Sequence, residues 1–172
     1  MGSGTIFLSL FSMAVLFSGF RQKPETSDWQ GPTRDCIFPV KNLLKQWPEK
    51  GPEMLWSFEG LGFGHSSAAI ANNKIYLTGV KDTISSTGTL YTFDLNGKLL
   101  WQKDYGKDFT LNFHGTRSTP VIVDNLIYIE SGMGAVYCLN SETGDQVWAV
   151  DFIKDLGVDS VIQFGYAESV LI

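Results

Sequence analysis

Polar and apolar positions alternate in short bursts from residue 65 onward, and the bursts recur. "HSSAAIANNKIYLTG", from His65, aligns with "RSTPVIVDNLIYIES", from Arg117, so that Ser66 matches Ser118, Ile75 matches Ile127 and Tyr76 matches Tyr128. "GTLYTFDLNGKLLW", residues 88–101, is followed by "GAVYCLNSETGDQVW", residues 134–148, with the same order of Gly, Tyr, apolar residue, acid or amide, turn Gly and Trp. Alternation with a period of two, cut by turn residues, predicts strands rather than helices. Each copy holds four. The first ends at Asn72-Asn73 or Asp124-Asn125, residue types that accept positive φ in tight hairpins. The second carries Ile75-Tyr76-Leu77 or Ile127-Tyr128-Ile129, and the third is "GTLYTFD" or "GAVYCLN". The fourth is reached through "LNG" or "SETG" and ends near Asp104 or Asp151. Trp56, Trp101 and Trp148 mark successive copies at spacings of 45 and 47 residues.

A four-stranded antiparallel meander recurring about every 46 residues has the length and content of a β-propeller blade. The fold class is therefore all-β. One such blade is too thin to shield both faces, so its apolar residues need neighbouring copies. Tyr91 and Tyr137, with Phe93 and Leu139, are expected between blades. Trp101 and Trp148 are expected to fill the gaps to adjacent blades, and Trp→Ala at either should cost about 3–5 kcal/mol if the indole is fully buried. A third copy begins with "QVWAVDF", and its Ala167-Glu168-Ser169-Val170-Leu171 aligns with Arg117-Ser118-Thr119-Pro120-Val121. The reading is a β-propeller fragment of about two and a half blades: 56–104, 105–152 and an incomplete 153–172. Rings close with about four to eight blades, so closure calls for missing blades or self-association of several chains.

Upstream, residues 5–20, "TIFLSLFSMAVLFSGF", form an uncharged apolar run of signal-peptide length. Residues 1–20 are read as a signal peptide or an anchor, because no basic residue precedes the run and Arg21 follows it. Any membrane contact is expected through this segment alone. Residues 21–55 hold five of the six prolines and read as a lead-in lying against the body. Only "VKNLLKQW" within it suits a short helix.

Composition narrows the function classes. Aromatic residues make up 13% of the 172 positions, glycine contributes 18 and charged residues only 18%, a mixture that favours strands and turns. The net charge of −5, with no basic run, argues against nucleic acid as a partner. Cys36 and Cys138 are far apart and lack metal-ligand spacing; in an exported protein they pair or are simply buried.

The candidate binding residues are His65, Arg117 and Glu168. His65 and Arg117 share one repeat position, just before the strand nearest a propeller's central channel, and Glu168 lies one place out of phase in the third copy. Together they would form a polar channel mouth; the plain alternative is three hydrated residues at blade ends. "GLGFG", residues 60–64, lacks the strand-to-helix context of a dinucleotide loop and reads as a flexible connection. Asp94-Leu95-Asn96-Gly97 has no downstream Glu to close a calcium shell and reads as a hairpin turn. No Ser, His and acid set supports nucleophilic catalysis.

The pattern carried by Gly88, Tyr91, Phe93, Asp94, Gly97 and Trp101, and again by Gly134, Tyr137, Leu139, Asn140, Gly144 and Trp148, resembles the repeat of pyrroloquinoline-quinone-like (quinoprotein-type) β-propellers. "DWQGPTRD" followed by "LLKQWPEKGPEMLW" is similar to the start of many bacterial members, among them outer-membrane assembly lipoproteins and alcohol dehydrogenases; Cys36 stands where those lead-ins commonly have Gly. The resemblance implies two functions. The first is a non-catalytic scaffold of an exported bacterial protein, in the periplasm or at the cell surface, that binds a partner protein or a small ligand. The second is a fragment of a PQQ-dependent alcohol dehydrogenase, which would require the quinone PQQ, a calcium held by acidic and amide side chains, and a carboxylate base. In that family the quinone is often stacked on a disulfide of adjacent cysteines, and this chain has no adjacent pair. No cofactor is supported by the residues themselves.

Overall fold

The computed structural model describes residues 26–27, 29–31 and 33–172. The expected signal or anchor at 1–20, and the start of the lead-in, lie outside the described residues. Nine strands and one short helix follow in order: β1 (Thr26–Ser27), β2 (Ala69–Ala71), β3 (Lys74–Val80), β4 (Thr87–Asp94), β5 (Leu99–Lys107), β6 (Val121–Val123), β7 (Leu126–Ser131), β8 (Ala135–Asn140), β9 (Gln146–Asp151) and α1 (Phe152–Leu156). One antiparallel sheet has the order β2-β3-β4-β5; the other repeats it as β6-β7-β8-β9, with β1 added beside β6.

The two meanders match pair by pair. Ile75 faces Phe93 across β3 and β4 as Ile127 faces Leu139 across β7 and β8. Each sheet also has a bulge at the same place, between Thr92 and Phe93 and between Cys138 and Leu139. A bulge adds one residue to one strand and sharpens its twist, so both sheets bend alike where Trp101 sits opposite Thr92 and Trp148 opposite Cys138. The first hairpin turns on Asn72 and Asn73, with φ of 51° and 56°, and the second on Asp124, with φ of 55°. The Asn72 side-chain amide donates to the Asp124 carbonyl at 3.1 Å, so the two turns are tied to each other.

The core lies between the sheets. Ala69, Ala71, Tyr76, Leu90 and Tyr105 of the first meet Ile122, Ile127, Ile129 and Leu139 of the second, flanked by Trp101 and Tyr137. The indoles pack on the turn glycines of the following copy. A Cβ on Gly97 would come within 2.3 Å of Trp56, and one on Gly144 within 2.8 Å of Trp101. Both glycines have positive φ, 82° and 72°, so the turn and the close approach each require glycine. This is the partial β-propeller that the repeats predict: two complete blades that bury their apolar faces against one another.

Four expectations change. Trp148 is 42% exposed, touching Tyr128 at a ring separation of 6.0 Å, because no further sheet covers it among the described residues. "VKNLLKQW" is not helical: Asn42 adopts φ of 59°, and Leu43, Leu44 and Trp47 are exposed with no face to pack on. Residues 167–171 form no strand; β9 leads instead into α1, capped by Asp151, whose carboxylate accepts the amides of Ile153 and Lys154. "GLGFG" is anchored rather than loose. Phe63 and Val80 exchange two backbone hydrogen bonds of 2.8 Å, and a Cβ on Gly62 would fall 2.2 Å from the Val80 carbonyl. Both cysteines are free, Cys36 exposed and Cys138 buried.

Candidate binding pocket at the inner strands

Three segments that precede or match the innermost strands run side by side, and hydroxyl groups join them. The Ser67 amide donates to Thr119 Oγ1 at 3.0 Å, and the Thr119 amide donates to Ser169 Oγ at 3.1 Å. Ser67, Thr119 and Ser169 hold the same place in three successive copies, at steps of 52 and 50 residues. The third copy thus keeps the register of the other two without forming a strand. Backbone bonds add to this: the His65 amide donates to the Thr116 carbonyl at 2.7 Å, and the Thr78 hydroxyl lies 2.9 Å from Thr116 Oγ1.

That stepping brings His65, Arg117 and Glu168 to the wall of one pocket of about 520 Å³, with Trp29, Thr119 and Leu171 also lining it. His65 and Glu168 are exposed and Arg117 is half-buried. Arg117 is held from behind. Its guanidinium lies 4.5 Å from the centre of the Phe109 ring and donates to the carbonyls of Asn112 at 3.2 Å and Phe113 at 3.1 Å. A stacked, doubly bonded guanidinium keeps its place at lower entropic cost than a free one. Its Nε is buried without a hydrogen-bond partner.

Under Arg117 sits a polar centre that sequence reasoning missed. Asp108, fully buried, accepts the Tyr105 hydroxyl at 2.5 Å through one oxygen. Through the other it accepts the Phe109 amide at 2.7 Å and the Gly132 amide at 3.0 Å. Burial raises the Asp108 pKa above the usual carboxylate range, against the opposing pull of those bonds and of Arg117. The group clamps the end of β5 to the β7–β8 turn. Glu130 was missed as well. It is 7% exposed and occupies the position of Thr78 in the first copy. Burial first, and the charge of Glu168 second, push it up to about 7. An acid replacing Thr at a matched repeat position was the available signal.

The pocket therefore offers a guanidinium, an imidazole, hydroxyls and one carboxylate, a set suited to holding a polar ligand by hydrogen bonds. It does not fit the calcium of the dehydrogenase reading. Calcium takes about six to eight oxygen ligands, several of them carboxylate, whereas here Glu168 is the only acid on the wall and Arg117 stands in the same cavity.

Known proteins place the repeat. Residues 86–159 match the family model described as outer membrane protein assembly factor BamB. A quinohemoprotein alcohol dehydrogenase of Comamonas testosteroni is 33% identical over 52 residues, which is 28% of this chain and 7% of that protein. The crystal structure of BamB from Moraxella catarrhalis aligns with a TM-score of 0.42 and 22% identity, over 56% of this chain and 26% of that one. The chain thus spans less than a tenth of the dehydrogenase and about a quarter of the solved structure. The matched span contains the whole second blade, and the first blade repeats its strand pairing, so both blades of this chain are similar to the PQQ-like β-propeller repeat.

Proposed function

We propose that the chain is a non-catalytic propeller scaffold of an exported bacterial protein, and that it binds a partner protein at the pocket of His65, Arg117 and Glu168. One observation carries this reading: three consecutive copies each contribute a polar side chain to one pocket, and the side chains that face the core are on other positions of the same repeat. The description of the matched family as an assembly factor agrees with a binding role. Export follows from the apolar run at 5–20, and fractionation of cells carrying residues 1–27 fused to a reporter tests it; a cytoplasmic reporter would overturn the export part.

The binding part is tested in the cell with a photo-crosslinking residue at position 65. A discrete protein adduct that disappears on Arg117→Ala is expected. An adduct indifferent to that change, or none, refutes the pocket. The dehydrogenase alternative predicts dye reduction by alcohols once quinone and calcium are supplied, and the pocket's donors give it no support.

A further inference from the structure

The inner strand of the second blade has partners on both sides. β6 pairs with β7 and, on its axial edge, with β1 of the lead-in, Thr26 opposite Val123 and Ser27 opposite Ile122. The matched strand of the first blade, β2, pairs with β3 alone, so its axial edge is unpaired among the described residues. An unpaired edge presents a row of amides and carbonyls to any extended chain. Here an extended chain is already seated on one. The pairing is antiparallel, so the lead-in runs along β6 towards its N-terminal end, and Trp29 and Gln30, just beyond β1, line the pocket beside Thr119. The pocket thus lies just beyond the end of β1, and edge and pocket are taken together as one groove.

We propose that this groove takes up an extended segment of the partner protein by strand addition to the axial edge of β6, and that Thr26–Ser27 is a short internal occupant that the partner displaces. The inference rests on the partner-binding reading above and names the chemistry of the partner: a polypeptide in β conformation, recognised first through its backbone. Two features support displacement. β1 is two residues long, the shortest strand among the described residues, while β6 offers three. Beyond β1, Gly31 is buried with φ of 87° and residues 33–50 are exposed, with Arg34 donating to the Ile172 carbonyl at 2.8 Å. The core between the blades contains no residue of the lead-in among the described residues, so release of β1 leaves that core covered. Backbone pairing makes the edge tolerant of sequence, and Arg117 and His65 at the end of the groove add selectivity through side chains.

The test uses the full chain and a fluorescein-labelled peptide with the sequence of residues 22–31, QKPETSDWQG. Replacing Thr26 and Ser27 by proline removes the internal donors and empties the edge. If the edge is free about a tenth of the time in the unaltered chain, the variant binds the peptide about 10-fold more tightly by fluorescence anisotropy. A peptide N-methylated at the Thr26 and Ser27 amides should not bind. In the unaltered chain, saturating peptide should speed amide hydrogen exchange at Thr26 and Ser27 and leave β6 protected, which serves if the proline variant does not fold. Equal affinity in both chains, undiminished binding of the methylated peptide, or unchanged exchange at β1 would each overturn the proposal. Those outcomes are separate from the crosslink at position 65: an Arg117-dependent adduct alongside them would retain partner binding and remove strand addition.

Discussion

The contact between Trp101 and Gly144 makes a quantitative prediction about how the blades hold together. Trp101 is half-buried at the edge of the inter-blade core, with its ring against the turn glycine of the next copy. An indole with about 120 Å² removed from water contributes about 3 kcal/mol at 25 cal/mol per Å², so Trp101→Ala should cost about 2–3 kcal/mol, below the figure for a fully buried tryptophan. Gly144→Ala carries two penalties. The residue keeps φ of 72°, at about 1 kcal/mol for a side chain in that region. The new Cβ also falls 2.8 Å from Trp101 Cζ3, 3.1 Å from Cε3 and 3.2 Å from Lys103 Cβ, and moving the ring costs about a further 1–2 kcal/mol. With Ala at 101 the cost of moving the ring vanishes, while the φ penalty and the 3.2 Å approach to Lys103 Cβ stay. The double variant should therefore be more stable than the sum of the singles predicts, by about 1–2 kcal/mol. Urea unfolding of the four proteins at constant slope measures the coupling. Additivity within about 0.5 kcal/mol would mean that the indole and the glycine do not meet, and the blade-to-blade packing argued above would fail with it.

The same geometry makes Trp148→Ala cheaper, about 1 kcal/mol in the same titration, because its ring is 42% exposed; a loss equal to that of Trp101→Ala would contradict the open face. Asp108→Ala leaves the Tyr105 hydroxyl and the Gly132 amide buried without their acceptor and should cost about 2–4 kcal/mol, read by thermal melts, whereas Asp108→Asn, which keeps a carbonyl for the two amides, should lose about half as much. Glu130 gives a pH dependence. Its folded pKa of about 7 lies above the ordinary glutamate value of 4.5, so its contribution is intact below about 4.5 and is lost as pH rises through 7. The whole interval is worth about 3 kcal/mol, reduced to about 1–2 by water reaching the carboxyl. Glu130→Gln should flatten stability between pH 5 and about 8, and an unchanged pH profile in that variant would remove Glu130 as the cause.

Legibility in the sequence followed the repeat. Strands could be placed because Tyr91 and Tyr137, or Ile75 and Ile127, recur with the same neighbours, and the register of the two sheets follows that recurrence. The meeting of His65 and Arg117 was legible for the same reason, since residues sharing a phase of the repeat share a place around its axis, while Glu168, one place out of phase, lines the same pocket. What had no counterpart in another copy was not legible. Asp108 is a different case: Asp155 stands at its place in the third copy, but its role depends on the Gly132 amide, 24 residues away, which no repeat pattern reveals. Helix α1 is five residues long, with a cap but no buried residue, too short for a periodic signal. The apolar pattern of "VKNLLKQW" suggested a helix, yet periodicity alone cannot hold one where no surface receives its apolar side.

The division of labour within one copy explains why such a repeat suits recognition. Core residues such as Tyr76, Leu90 and Ile127 are on strands and are wholly buried between the sheets, while His65 and Arg117 stand four residues before β2 and β6 and face the pocket. The hydroxyls of Thr119 and Ser169, each accepting the backbone amide of the matched residue one copy earlier, fix the spacing of the segments independently of what occupies the positions beside them. One residue per copy can therefore change the chemistry of the pocket while the inter-blade core keeps its packing. Arg117 marks where that independence ends, because its stacking on Phe109 joins the pocket to the Asp108 clamp below. A pocket assembled in this way can change by substitution at the pocket phase while the glycine and tryptophan phase keeps the blades packed, and the two meet in the second blade at Arg117.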